Sequence, residues 1–444
     1  MTSPEWSSLL ELYQQTVCAG VVQYLEKQAG TRRNRGVYSV AVVLWLMMLQ
    51  RLEGRGTLAS AVQMLLEGAA GPLLSPCRRV RRKRISCRTG GYCQARQKLP
   101  KLLCRQVSQE LVERLRGVLN SAGTGGPAQV FVLDGSSLEL EHTRSLVGLY
   151  PPAQNQQGQS HWPVLRVVVL HDVETGLAQP PCWGAMFGPQ AVSEQELAEQ
   201  AMDSLPAQSV VVGDRNFGIF SIAYAAQQRG LRVLLRLTQV RARKLAGTAV
   251  SQPGEHRLRW QASRWDSGKK RRLPLAAVLE GRMVAARVGR GKSKQWLYLF
   301  TTLDLPAEEI LQLYGRRWNI ETDLRSLKRT VRLQHISAQS PDMMEKEILL
   351  AVSAYNLVRA VMCMAARRSR LDPRQLSFTQ VLTVVDHAWP KLIAAPTQAQ
   401  HDQEFLRVLD MAAQCTLPKR RKRRSYPRLT WRRGGPSHFR KAEN

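Results

Sequence analysis

Acidic residues are scarce in this 444-residue sequence: 34 Asp and Glu stand against 65 Lys and Arg, a net charge of +31. Other absences narrow the function classes further. Eight cysteines occur without a C-x-x-C pair, and the closest set, Cys87, Cys93 and Cys104, has no histidines at zinc-finger spacing. That argues against a zinc finger and a disulfide framework and for reduced thiols in a cytoplasmic protein. The histidines form no H-x-x-x-H pair, and no glycine-rich phosphate loop is present, so no nucleotide partner is expected. No secretory leader opens the chain, and the longest apolar run, VYSVAVVLWLMML at 37–49, falls short of the roughly 20 residues a bilayer needs. It reads as a buried helix.

What is present in excess is localised positive charge. Residues 78–105 hold eleven Lys/Arg and no acid, residues 236–294 sixteen against three acids, and residues 419–444 eleven against one. The remainder is close to neutral. Three separate cationic blocks suit an extended polyanion better than a small phosphorylated metabolite, so a nucleic acid is the expected partner.

Apolar periodicity near 3.6 in LLELYQQTVCAGVVQYL, VAVVLWLMMLQRL and LASAVQMLLEG predicts a helical N-terminal domain over 1–120. The basic run CRRVRRKRISCRTGGYCQARQKLP within it reads as part of a DNA-binding module, the alternative being a solvated basic loop. The glycine-rich NSAGTGGPAQ at 120–129 marks the domain's boundary. From there VFVLD (130–134), VLRVVVLHDVETG (164–176) and CWGAMF (182–187) read as three strands. SEQELAEQAMDSL reads as a helix with a Ser193/Glu196 capping box, SVVVGDRNFG (209–218) as a strand, SIAYAAQQRG as a helix and RVLLRL (232–237) as a fifth strand. Three strands, helix, strand, helix, strand is the element order of a ribonuclease H-like α/β fold, assigned to 128–440. The strand-like pieces HRLRWQA, LPLAAVLE and GRMVAARVG predict a β-rich insertion over 238–295, and WLYLFTTL (296–303) a further strand. A long helical pattern, AEEILQLYGRRWNIETDLRSLKRTV, then leads to LLAVSAYNLVRAVMCMAARR, FTQVLTVVDHAW and a basic tail at 419–444.

Asp134 and Asp214 stand at the carboxyl ends of two strands that would be neighbours. In YGRRWNIETDLRSLK, a continuous helix at about 100° per residue would place Tyr314, Arg317, Glu321 and Lys328 within an arc of roughly 60°. Trp318, Ile320, Leu324 and Leu327 would form the buried side. An Arg317–Glu321 pair at i,i+4 is the simplest account of that acid. The alternative is that three hard carboxylates, Asp134, Asp214 and Glu321, converge to hold one or two Mg²⁺ for displacement at phosphorus, with Arg317 and Lys328 on backbone phosphates. Glu139, Glu141 and Asp323 fall at less suitable positions and read as solvated or paired.

The spacing Y-x2-R-x3-E-x6-K, with FVLDGSS and VVGDRNF upstream, resembles the insertion-sequence-4-like DDE transposases over roughly residues 85–430. The resemblance implies Mg²⁺-dependent hydrolysis at element ends, with Mn²⁺ as a possible substitute. Strand transfer into target double-stranded DNA would follow, as would assembly of at least a dimer on the terminal inverted repeats. It carries Asp134, Asp214 and Glu321 over as catalytic metal ligands, and Tyr314, Arg317, Lys328 and Arg215 as DNA contacts. Some members stack a flipped base on an aromatic of the insertion; Trp296, Trp260 and Trp265 are candidates, with Trp296 preferred, and the alternative for each is an ordinary core aromatic. Asn216 departs from the small residue that often follows Asp-Arg in relatives, which questions the local turn geometry. Two other readings remain open: a ribonuclease H-like metal-dependent nuclease that does not transpose, and an inactive DNA-binding relative.

Overall fold

The computed structural model describes Lys27 and residues 36–418 except 53–55, 70–76, 83, 121–128, 156–157, 265, 267–272, 290–294, 332, 334–335 and 395–396, together with 428–430 and 439–441. The first helical pattern, Trp265 and most of the basic tail therefore lie outside the described residues. Within the tail, Arg428–Thr430 and Phe439–Lys441 pair antiparallel.

Helices α1 (Val40–Leu52), α2 (Leu58–Glu67), α3 (Gly90–Lys98) and α4 (Lys101–Asn120) come first. Thr57 caps α2 by accepting the Ser60 N–H, as expected for an N-terminal threonine. The sheet follows with β1 (Val130–Glu139), β2 (Pro152–Asn155), β3 (Gly158–Asp172), β4 (Cys182–Ala185), β5 (Val210–Gly213) and β6 (Arg232–Leu237). Between these strands lie α5 (Arg144–Leu149), α6 (Glu194–Ala201) and α7 (Phe220–Gln228). Both halves of the Ser193/Glu196 capping box form at the start of α6.

Where the sequence suggested only short strands after β6, a helix, α8 (Gln239–Ala246), appears first, capped by Thr238. Strands β7 (Gly254–Gln261), β8 (Val278–Val288) and β9 (Gln295–Thr301) come next, and the pieces read separately as LPLAAVLE and GRMVAARVG prove to be a turn and one strand. All nine strands join one mixed sheet in the order β2-β3-β1-β5-β6-β9-β8-β7, with β4 on the far side of β3. Strands β1, β5 and β6 run parallel, whereas β3 is antiparallel to β1 and β9 to β6. Residues 254–301 thus extend the edge of the main sheet.

Strict alternation places the two faces of this sheet in two cores. Val132, Val167, Val169, Val210, Val212 and Leu234 face one; Phe131, Leu133, Val168, Leu170, Val211 and Leu235 face the other. The first core is shared with α1, α4 and the C-terminal helices α11 (Pro341–Arg368), α12 (Phe378–Ala394) and α13 (Gln398–Gln414). Helix α11 is long and apolar enough to cross a membrane, but 94% of its most apolar window is buried inside the fold. Its Glu347 pairs with both Arg51 and Arg96, fastening the N-terminal helices to it.

The long helical pattern ahead of α11 is broken. Helix α9 (Ala307–Gly315) ends where the Arg316 and Arg317 N–H groups turn back to Leu313 and Tyr314 carbonyls in i→i+3 bonds. Helix α10 (Trp318–Arg325) then passes into a wide π turn, Ser326–Thr330. The single-helix wheel is therefore corrected: Gly315, a poor helix residue, sits at the break, and the four signature residues fall in four successive segments, α9, the turn at Arg316–Arg317, α10 and the π turn. Ile320, Leu324 and Leu327 are buried as expected, but Trp318 is 64% exposed.

Candidate active site

The β1–β5 register decides the first part of the site. Val130, Phe131 and Val132 pair in parallel with Val210, Val211 and Val212, so Asp134 and Asp214, each two residues further on, stand at the same level. Asp214 follows the end of β5, but the expected strand end at Asp134 is corrected: β1 runs on to Glu139 because its outer half stays paired with β3, and Asp134 sits mid-strand opposite Val169. Both share the parity of Val132 and Val212 and so belong to the face covered by α9, α10 and α11. Asp134 accepts the Gly135 N–H at 2.9 Å. Burial pushes its carboxyl up to about 6, the negative charge of Asp214 adds to the rise, and Arg317 opposes it.

Beyond Asp214 the chain turns sharply. The Phe217 and Gly218 N–H groups return to the Asp214 carbonyl at 3.1 and 3.0 Å, and the Asn216 N–H donates to Asp214 Oδ1 at 2.8 Å. Any Cβ on Gly218 would lie 2.0 Å from the Arg236 carbonyl oxygen, so only glycine fits against β6. Asn216 is accommodated, its side chain bonded to Glu194 and Gln195. Arg215 is exposed beside the pair.

Glu321 stands on α10, with its side chain 46% exposed and Arg317 3.7 Å away. The simple i,i+4 pair is present, and the positive charge of the same guanidinium also opposes the rise of the Asp134 carboxyl. Its Nε has no hydrogen-bond partner among the described residues, and its charge sits over the rings of buried Tyr314 (5.9 Å) and Trp318 (5.3 Å). Lys328 donates to Ser136 Oγ at 2.9 Å, which ties the π turn to β1 two residues beyond Asp134 and on the same face.

The helix carrying Glu321 is anchored from beneath. Asp323, 3% exposed, accepts two hydrogen bonds from Arg374 at 2.7 and 2.5 Å, and Arg374 also donates to the Val173 and Asp172 carbonyls. Burial raises the Asp323 carboxyl, but Arg374, Arg359 and His171 together hold it below the usual carboxylate range. Its assignment as a paired acid holds, in a buried rather than a solvated form. Glu139 and Glu141 are exposed.

Thus the fold brings Asp134 and Asp214 together and sets Glu321 beside Arg317, whose charge also acts on Asp134. Among the described residues, no group of three His, Cys, Asp or Glu side chains is close enough to hold a metal ion by itself. The candidate base-stacking aromatics separate clearly. Trp260 is core, packed edge-on against Phe300 at 4.9 Å. Trp296 is half-buried on β9, stacked on Tyr298 with Arg287 over its ring at 4.9 Å. The exposed tryptophan near the carboxylates is Trp318, which the helical wheel had assigned to the core.

Glu194 was missed altogether. Its Oε1 would lie 1.6 Å from a Cβ on Gly135, so this half-buried carboxylate rests against β1 immediately beside Asp134. Burial raises its carboxyl, with Arg166 opposing and Asp214 adding to the rise. The available signal was the acid at the first position of the helix that follows the third main strand, adjacent to the capping serine.

A family model described as Transposase DDE domain matches residues 125–357, just over half the chain. The chain belongs to this family. The matched span contains Asp134, Asp214, Glu194 and all four residues of the Tyr314–Lys328 signature. The transposase is 24% identical over 310 residues to Transposase InsG for insertion sequence element IS4 of Escherichia coli (strain K12), across 68% of this chain and 67% of that protein. It is an insertion-sequence-4-like DDE transposase, an enzyme acting on DNA. Among solved structures, the piggyBac transposase synaptic complex with hairpin DNA aligns over 95% of this chain and 87% of that one, with a TM-score of 0.44 and 9% identity.

Proposed function

We propose that the transposase cleaves DNA at insertion-element ends and joins the freed 3′ ends to target DNA, using Asp134, Asp214 and Glu321 as ligands for divalent cation, Mg²⁺ with Mn²⁺ able to substitute. The observation that carries this reading is the parallel register that sets Asp134 and Asp214 side by side on the face where Arg317 pairs with Glu321 and acts on Asp134. The donor set fits. A buried carboxyl at Asp134 whose proton affinity is raised by the charge of Asp214 marks a hard anionic site that a divalent cation would stabilise. When bound, such an ion supplies charge neutralisation for in-line displacement at phosphorus.

The chain's own residues position the DNA. Arg317 and Lys328 offer cationic donors on the carboxylate-bearing face, Tyr314 supports Arg317 from below, and Arg215 is exposed to a passing strand. The strand order β4-β3-β1-β5-β6, with β1, β5 and β6 parallel, supports a ribonuclease H-like core, with 238–295 inserted before the α10 carboxylate. Bringing two ends together calls for at least a dimer on DNA.

Incubating purified transposase with a labelled terminal-repeat duplex, supercoiled target DNA and Mg²⁺ tests this. Joined end–target products are expected. Nicking at any sequence with no joined product would favour the nuclease reading, and binding without either product the inactive relative.

The N-terminal helices supply a cationic recess suited to the DNA backbone. A cavity of about 590 Å³ is lined by Arg79, Arg84, Arg88 and Lys98 without any acid, with Tyr38 as one wall. If Arg84 and Arg88 contact one phosphate each, replacing both with alanine should flatten the slope of log K against log salt by about 1.8, from about 0.9 per phosphate. Fluorescence anisotropy across a salt series checks it; an unchanged slope removes these two contacts.

A further inference from the structure

We propose that Glu194 is a positioning residue for Asp214, acting through Asn216; this rests on the assignment of Asp214 to the reacting site. Backbone bonds close the turn after β5 but leave the Asp214 side chain to be oriented separately. Its Oδ1 accepts the Asn216 N–H at 2.8 Å, and its Oδ2 makes no hydrogen bond among the described residues. Asn216 is exposed, so packing does not hold it. It is gripped instead by the start of α6: its Nδ2 donates to Glu194 Oε2, while Gln195 Nε2 donates to its Oδ1 at 3.0 Å and its carbonyl at 3.4 Å.

An acid in the first turn of a helix is ordinarily explained by the helix dipole alone. That explanation requires nothing of other elements, yet two other elements are shaped to this side chain. Helix α6 packs on the Phe131/Leu133 face of the sheet, and Gly135 continues that face. Because Gly135 has no side chain, Glu194 can lie across β1 and reach the end of β5; a Cβ there would overlap Oε1. The contact also sets a third carboxylate beside Asp134 and Asp214, an electrostatically unfavourable placement. A hydrogen-bonded clamp that orients Asp214 gives that placement a use, as outer partners commonly do for ligating carboxylates.

The decisive comparison is between Glu194→Ala, which removes the acceptor, and Glu194→Gln, whose amide oxygen can still accept from Asn216 Nδ2. In Glu194→Ala, end cleavage and Mn²⁺ affinity measured calorimetrically without DNA should both fall about 10- to 100-fold. Thermal unfolding and end-DNA binding should stay near wild type. Glu194→Gln should return both quantities to within about threefold. Asn216→Ala, on the exposed turn, should match Glu194→Ala, and the double variant should be no worse than either, because they act through one contact. Wild-type behaviour of Glu194→Ala and Asn216→Ala would overturn the clamp, as would a Gln variant as damaged as the Ala variant. Asp214→Asn, run in parallel, separates the two levels. If it abolishes cleavage while Glu194→Ala is normal, only the clamp fails. If it cleaves normally, the site assignment fails with it.

Discussion

Glu321→Gln is expected to fold and to bind terminal-repeat DNA nearly as well as wild type while cleavage and strand transfer fall by on the order of 10³-fold, about 4 kcal/mol in the barrier. The substitution keeps the shape of the side chain and removes its charge. If the acid served only its pair with Arg317, the loss would be small, because Glu321 is 46% exposed, the pair spans 3.7 Å, and such pairs contribute about 1 kcal/mol at most. Breaking the pair would even leave Arg317 free to compensate Asp134 more fully. Asp134→Asn and Asp214→Asn should match Glu321→Gln, and combinations should lose little more, since residues acting as one unit are not additive. Gel shift and 3′-end cleavage on the same preparations decide between ligand and surface pair. Near wild-type cleavage by a folded Glu321→Gln protein would end the assignment.

The second large effect concerns stability. Arg374→Ala leaves the Asp323 carboxylate buried without its main partner and strips the Asp172 and Val173 carbonyls of a donor. Removing one member of a buried pair costs about 3–5 kcal/mol because the remaining charge stays desolvated. The urea midpoint should fall accordingly, and residual activity should fall with it, because this contact fastens α10 to the end of β3. Replacing both partners, Arg374→Met with Asp323→Leu, should recover most of the stability, as an apolar pair incurs no ionic desolvation. A single variant that loses less than about 1 kcal/mol would show that α10 is held by its apolar face instead.

Local chemistry made much of the fold legible. Runs such as VVVG and RVLLRL, bounded by turn residues, became strands, and Asp214 follows a strand end as read, whereas β1 runs past Asp134 to Glu139 because pairing with β3, not local turn chemistry, sets where it stops. Helix α13 was not read, although Phe405, Val408, Leu409 and Ala412 recur at i, i+3, i+4 and i+7 and are buried; its long polar first half hid the stripe. The Tyr314–Lys328 segment was read as continuous because periodicity averages over a window, whereas the break at Gly315–Arg316 depends on a few backbone bonds. Trp318 was misassigned for a related reason: a wheel gives direction around an axis but not whether anything covers that direction.

The sequence by itself determined most of the strands and helices, the cationic blocks and the candidate acids, because each follows from residue type and spacing within a few turns of chain. Only the tertiary structure decided which groups meet. Glu194 reaches Gly135 and Asn216 from a separate helix, the charge of Arg317 acts on Asp134 as well as Glu321, and Arg374 closes on Asp323 across 51 positions. Such contacts are selected by the packing of both sheet faces at once, and no local window of residues contains the partners whose charges and volumes must be matched.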